Sequence, residues 1–234
     1  EQLQEIGIDP GPILIEPEAK NTAAAILAAR MYARSKDENA VLLVAPSDHV
    51  IPDMNEFHKM VKIGLRYVKC GKIVTFGIRP TYPETGYGYL ELSENELDHY
   101  GASDLKRFIE KPDLADAEHM LSVGNFLWNA GIFLFRAVDM IDAFNVFAAK
   151  TLDLVSQSLS DASSDLGFLR LAVEPWSFLE NISIDYAIME KAENLVAIPY
   201  NAKWSDLGGW RAVWSESSPD ASGNVTSETA HAIE

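Results

Sequence analysis

Cysteine is almost absent from this chain: its 234 residues contain one, Cys70. A lone thiol forms no internal disulfide, so a reducing cytoplasm is the expected setting. With no Cys or His at ligand spacing, Cys70 reads as a small core hydrophobe. Long apolar runs are also missing. Nothing approaches the ~20 residues a membrane span needs, and no signal peptide is visible. Positive charge is scarce, with 19 Lys and Arg against 35 Asp and Glu and a formal net charge of −16. Such a surface repels nucleic acid and anionic membranes, so neither is an expected partner. It also means that an anionic ligand needs local positive charge or a metal. The five histidines (49, 58, 99, 119 and 231) have no metal-binding spacing. There is no Ser-centred nucleophile elbow and no Walker A loop.

What is present is a globular composition, 47% hydrophobic and 23% charged, enough for one domain with a full core. The first third reads strand, helix, strand, helix, strand: strands over 13–15, 41–44 and 73–78, with a helix from Asn21 or Thr22 as cap to about Ser35 and another after Asp53. Asp53 with Glu56 three residues on is a capping-box pattern, and Gly71 ends that helix. This alternation predicts a parallel sheet with crossover helices. Segments 87–92 and 105–109 read as an antiparallel insertion. A helix capped by Asp113 follows over 114–123, then a strand over 132–135, a helical stretch over 137–173 with polar breaks at 160–165, a helix over 183–192, a strand over 195–198 and a last element over 210–216. Residues 1–216 are assigned to one domain, and the Ser-, Ala- and Glu-rich 217–234 to a linker or the start of a further module. The opening residues read as the last turns of a helix stopped by Gly7, so the chain is entered mid-domain.

Two loops set one carboxylate each at the end of an apolar strand: Asp48 in Ala45-Pro46-Ser47-Asp48-His49, and Asp206 in Trp204-Ser205-Asp206-Leu207-Gly208-Gly209. Ligands of open α/β sheets collect at that edge. Two carboxylates brought together there can hold one Mg²⁺, which suits phosphoryl or nucleotidyl transfer. His49 beside Asp48 is assigned a structural role. In the Arg79–Tyr89 loop two prolines add stiffness, and Gly86 and Gly88 permit close approach to a sugar or base. Glu110 can accept from hydroxyls and Lys111 can hold a phosphate. Trp128-Asn129 offers a wall and an amide for carbohydrate. Asp185 lies in the first turn of a helix, where it serves the helix dipole or binds hydroxyls. Glu16 can accept from a guanine edge, and Lys20-Asn21-Thr22 leads into a helix N-terminus that favours an anion or a polar ring edge.

Taken in order, EPEAKNTAAAI (16–26), LLVAPSDHVI (42–51), FGIRPTYPETGYGYLEL (76–92), FIEKPD (108–113), WNAGIFLF (128–135), SIDYAIMEK (183–191) and WSDLGGW (204–210) resemble the mannose-1-phosphate guanylyltransferases of the sugar nucleotidyltransferase superfamily. The resemblance implies a Rossmann-like mixed, mainly parallel sheet flanked by helices, and synthesis of GDP-mannose and pyrophosphate from GTP and mannose 1-phosphate, the two expected partners. It implies Mg²⁺ held by Asp48 and Asp206, with these and Lys111 as the catalytic set. Glu110, Asn129 and Asp185 would take the mannose hydroxyls, Lys111 the sugar phosphate, and the Gly86 loop would close over the sugar. Glu16, Lys20, Asn21 and Thr22 would lie near the guanine. A homodimer is compatible with this reading. Family members begin with a strand and a Gly-rich loop carrying Arg and Lys, which this chain lacks, so little activity is expected of it alone. Three readings compete: a nucleotidyltransferase for another hexose 1-phosphate, a glycosyltransferase (disfavoured because no Asp-x-Asp triplet occurs), and a non-catalytic binder of sugar nucleotides.

Overall fold

The computed structural model describes residues 2–93, 97–220, 223–226 and 230. A short helix, α1 (Gln2–Glu5), ends at Gly7 with φ +76°, as the glycine stop requires. There follow β1 (Ile13–Ile15), α2 (Asn21–Lys36), β2 (Val41–Val44), α3 (Met54–Val68), β3 (Ile73–Ile78), β4 (Tyr89–Leu92), β5 (Ser103–Ile109), α4 (Leu114–Val123), β6 (Phe126–Arg136), α5 (Ala137–Phe147), α6 (Ala149–Ser160), β7 (Ser163–Asp165), β8 (Phe168–Arg170), α7 (Val173–Ser177), a π-helical turn (Asp185–Met189), β9 (Leu195–Tyr200) and α8 (Trp210–Glu216).

The main sheet has the order β2-β6-β3-β9-β5-β4, and β4 also pairs with the start of β6. Its central strands are apolar throughout because both faces are covered. Along β9, Leu195 and Ala197 join the core on one side, while Val196 and Ile198 join the core on the other. The helix α3 packs on the second side through Met60 and Val68. Gly64 lets it come close, since a Cβ there would stand 2.9 Å from Leu134 Cδ2. The helices α2 and α5 cover the opposite face with Ala24, Leu27, Met140 and Phe144. Among the described residues no helix is long and apolar enough to cross a membrane.

The mixed α/β architecture flanked by helices is the one expected, with several corrections in detail. Among the described residues, β3–β9 is the one parallel pairing of the main sheet. The strands β2, β3, β4 and β9 run the same way, but β6 enters between β2 and β3 in the opposite sense and turns their contacts antiparallel. The strand β1 is not in this sheet. It pairs in parallel with β8 in a separate three-stranded sheet. The helical stretch expected over 137–173 is interrupted twice. Ala148 breaks it between α5 and α6, and β7 and β8 form a hairpin whose two turn residues, Leu166 and Gly167, both have positive φ (+49° and +88°), the geometry that matches strand twist. The helix expected over 183–192 is a five-residue π turn. Asp53 and Asp113 cap their helices as predicted, each accepting from the backbone N–H three residues on at 2.9 Å. Asn21 and Thr22 do not cap α2: Lys20 occupies that position with no side-chain capping bond. Cys70 is exposed rather than buried, two residues past the end of α3.

Candidate active site

The site grows from an irregularity in β6. Between Thr75 and Gly77 the β3–β6 register jumps, so that two steps along β3 face four along β6, from Phe133 to Asn129. The surplus residues include Gly131, held at φ +68°, as a bulge requires. On its other edge β6 pairs with β4 through residues 126–128 and with β2 through residues 133–136. Among the described residues, no strand lies on that edge beside the stretch between. A cleft of about 480 Å³ opens there.

The bulge fixes Asn129. Its Oδ1 accepts from the Thr75 hydroxyl (2.9 Å) and the Gly131 N–H (3.2 Å), which orients the amide, and its Nδ2 donates to Asp185 Oδ1 (3.2 Å). One Nδ2 hydrogen is left for a ligand. Glu110 stands beside them with its side chain 7% exposed, paired with Lys111 Nζ at 3.1 Å. Burial, and then the charge of Glu110, raise the Asp185 carboxyl from 3.8 to about 6. The cleft floor thus presents two carboxylates and an amide, a set that accepts and donates hydrogen bonds to a polyhydroxylated ligand.

A further part of the lining comes from the loop before α2 and that helix's first turn. Glu16, Asn21 and Thr22 line the same cleft. The loop is held from outside: Ile184 N–H donates to Thr22 Oγ1 (2.9 Å) and Trp176 Nε1 to the Glu18 carbonyl (2.8 Å). Burial raises the Glu16 carboxyl above its usual range. Lys20 is not in the cleft. Its Nζ donates to the Ser177 carbonyl (3.1 Å) and pairs with Glu18 (2.9 Å), fixing the loop rather than reaching a ligand.

The two Asp loops are joined. Val50 and Ser205 form an isolated antiparallel bridge, with N–H···O bonds of 2.8 and 3.2 Å. That register sets His49 opposite Asp206 and Asp48 opposite Leu207. His49 feels the charge of both carboxylates, yet burial dominates and lowers its pKa. The ring accepts from Trp204 Nε1 at Nδ1 (3.3 Å), a side-chain bond in place of the loop-backbone bond expected of it, and it lines the cleft. Asp206 lines the cleft and accepts from the Tyr87 hydroxyl at Oδ1 (2.9 Å). Asp48 is exposed and outside the lining, to which Pro46 and His49 of its loop contribute instead. Among the described residues no group of three or more His, Cys, Asp or Glu could hold a metal. The Val50–Ser205 bridge brings the two carboxylate loops side by side, and carboxylate oxygens are the ligands that a hard divalent cation would take.

Of the expected residues, Glu16, Asn21, Thr22, Gly86, Glu110, Asn129, Asp185 and Asp206 line one cleft, while Lys20, Asp48 and Lys111 do not. Lys111 sits at the rim with φ +48° and donates its backbone N–H to the Tyr87 carbonyl (3.2 Å). Trp128 is no wall of this cleft: it is buried beneath the edges of Tyr82 and Tyr87, at ring distances of 4.9 and 5.3 Å. Sequence reasoning missed Thr75, Tyr87 and Trp204. Thr75 carried a signal, being a hydroxyl inside an otherwise apolar strand.

The mixed α/β sheet flanked by helices is that of a nucleotide-sugar transferase fold. The chain belongs to the nucleotidyl transferase family, which it matches over residues 1–223. It is 41% identical over 225 residues to the xanthan biosynthesis protein XanB of Xanthomonas campestris pv. campestris, covering 96% of this chain and 47% of that protein. It is 42% identical over 229 residues to a mannose-1-phosphate guanylyltransferase of Sinorhizobium fredii, covering 96% and 44%. The chain therefore spans about half the length of these curated relatives. Among solved structures, one from Helicobacter pylori described as a mannose-6-phosphate isomerase superposes with a TM-score of 0.77 at 32% identity, over 87% of this chain and 79% of that one.

Proposed function

We propose that the protein transfers GMP from GTP to mannose 1-phosphate, giving GDP-mannose and pyrophosphate. The observation that carries this is the continuity of one cleft. Glu16, Asn21 and Thr22, suited to a base edge, share it with Glu110, Asn129 and Asp185, suited to sugar hydroxyls, and Asp206 lies on the same lining. In this reading a phosphate oxygen of mannose 1-phosphate attacks the α-phosphorus of GTP in line. The new P–O bond forms as the bond to the pyrophosphate oxygen breaks, and no covalent enzyme intermediate is needed.

Asp48 and Asp206 are the residues that would hold Mg²⁺, which when bound neutralises charge on the phosphates. Lys111 leaves Glu110 to take the sugar phosphate. Asn129 donates its free amide hydrogen to a mannose hydroxyl, and Asp185 and Glu110 accept from others. Glu16 accepts from the guanine ring N–H and amino group.

The test is a panel of GTP, UTP and dTTP against mannose and glucose 1-phosphates with the full-length gene product, read as pyrophosphate release. GTP with mannose 1-phosphate should lead by at least tenfold. A preference for UTP with glucose 1-phosphate refutes the assignment. Asp206→Asn should abolish turnover while leaving mannose 1-phosphate affinity within about twofold, because the lost charge faces the cation and not the sugar. Near-normal turnover removes Asp206 from the metal site.

A further inference from the structure

Tyr87 lies between the two halves of the cleft and is tied to both. Its hydroxyl donates to Asp206 Oδ1 at 2.9 Å, across 119 positions of sequence. Its carbonyl accepts from the Lys111 N–H (3.2 Å), and the neighbouring Gly88 carbonyl accepts from the Asn129 N–H (2.8 Å). Gly88 also abuts Glu110, since a Cβ at Gly88 would stand 2.6 Å from Glu110 Oε2. The Tyr87 ring is clamped edge-on between Trp128 and Trp204, with centroids 5.3 and 5.6 Å away. Glycine at 208 leaves room for the other carboxylate oxygen: a Cβ there would lie 2.3 Å from Asp206 Oδ2. The Tyr87 hydroxyl is therefore the contact that orients the Asp206 carboxylate, and it belongs to the loop bonded to Lys111 and Asn129.

From these contacts we infer that Tyr87 is a positioning residue that couples occupancy of the sugar subsite to the metal-binding geometry of Asp206. The inference rests on the guanylyltransferase reading and deepens it. A ligand drawn in by Glu110, Asn129 and Lys111 fixes the Gly86–Gly88 loop. Fixing that loop fixes the Tyr87 hydroxyl, which holds Oδ1 and leaves Oδ2 turned toward a cation. Linkage is reciprocal, so the cation must raise affinity for the sugar phosphate by the same factor that the sugar phosphate raises affinity for the cation.

The experiment is calorimetric titration of Mn²⁺ into the full-length protein, with and without saturating mannose 1-phosphate, for wild type and Tyr87→Phe. Phe keeps the ring between the two tryptophans and removes only the hydroxyl. In wild type the sugar phosphate should tighten Mn²⁺ binding about fivefold or more, within the ordinary range of coupling. In Tyr87→Phe the enhancement should fall below about twofold. Without metal its affinity for mannose 1-phosphate should stay within about twofold, while at saturating metal it should be weaker by the coupling lost, about 2.5-fold or more. Gly208→Ala should weaken Mn²⁺ binding with or without sugar phosphate, since it displaces the carboxylate directly. Equal enhancement in wild type and Tyr87→Phe overturns the inference and leaves the guanylyltransferase reading intact. So does wild-type binding of both ligands with no enhancement. Failure of the wild type to bind mannose 1-phosphate at all overturns the functional reading itself.

Discussion

Replacing Asp185 by Asn should make the protein more stable and a worse ligand for sugar. The carboxyl is held in a poorly solvated site beside Glu110, and its pKa is raised from 3.8 to about 6. The sign follows from proton binding. Between about pH 4 and 6 the folded state holds a proton that the unfolded state has lost, so stability falls as pH rises through that window and is level above it. The displacement corresponds to about 3 kcal/mol at pH 8 and to about half of that at pH 5. Asn removes the charge, and its carbonyl oxygen still accepts the 3.2 Å bond from Asn129 Nδ2. The gain at pH 8 is therefore up to about 3 kcal/mol, or roughly 6–12 °C in Tm for a domain of this size. Urea unfolding of wild type and Asp185→Asn at pH 5 and pH 8 reads it directly. The same variant should bind mannose 1-phosphate about tenfold or more weakly, because a neutral amide oxygen is a poorer acceptor for hydroxyls than a carboxylate. A destabilised variant at pH 8, or an equal effect at the two pH values, would show that the Asp185 charge is not strained in the fold.

Two glycines offer tests that separate contact from backbone strain. Gly88→Ala sets a Cβ 2.6 Å from Glu110 Oε2 and 3.1 Å from the Phe108 ring without demanding an unusual φ. The fold should survive, judged by circular dichroism, while KM for mannose 1-phosphate rises about tenfold as Glu110 is displaced; an unchanged KM would take Glu110 out of the sugar subsite. Gly131→Ala meets only ordinary neighbours, His49 Cε1 at 3.8 Å and Pro46 Cγ at 3.9 Å, but must hold φ near +68°. It should cost about 1 kcal/mol in urea unfolding from conformational strain alone, and no loss would mean that the bulge relaxes.

What the sequence makes legible is local. The caps at Asp53 and Asp113 and the glycine stop at Gly7 depend on residues within a few positions, and each appears where expected. Pairing is not local. Nothing in Ile13–Ile15 says that it joins β8 rather than the main sheet, because a short apolar run suits either partner. The strand β6 was foreseen over only 132–135 because Asn129 and Gly131 interrupt its apolar pattern, and that interruption is the bulge around which the cleft forms. The site follows the same division. Motif order brings eight of the eleven expected residues to one cleft, yet Lys20, a cation beside a helix N-terminus, is consumed by Glu18 and the Ser177 carbonyl. The Tyr87–Asp206 contact spans 119 residues and has no sequence signature.

The backbone carries the same conflict between folding and site construction that Asp185 carries in charge. Among the described residues four non-glycines hold positive φ: Asn21 (+62°), Lys111 (+48°), Leu166 (+49°) and Leu207 (+50°). Leu166 turns the β7–β8 hairpin, away from the cleft. The other three stand in or next to the three segments that build the site: Asn21 in the lining itself, Lys111 after Glu110, and Leu207 after Asp206. Each costs on the order of 1 kcal/mol over a relaxed residue. Their surroundings hold them there. The segment beginning at Asn21 is pinned by Ile184 N–H on Thr22 Oγ1, Lys111 by its backbone bond to Tyr87, and Leu207 by its N–H on Ser205 Oγ at 3.3 Å. Strain at one hairpin is a matter of turn geometry. Strain at three separate loops, each beside a group that faces or rims one cleft, means that the fold spends stability to aim side chains, and it does so where a bound ligand would return it.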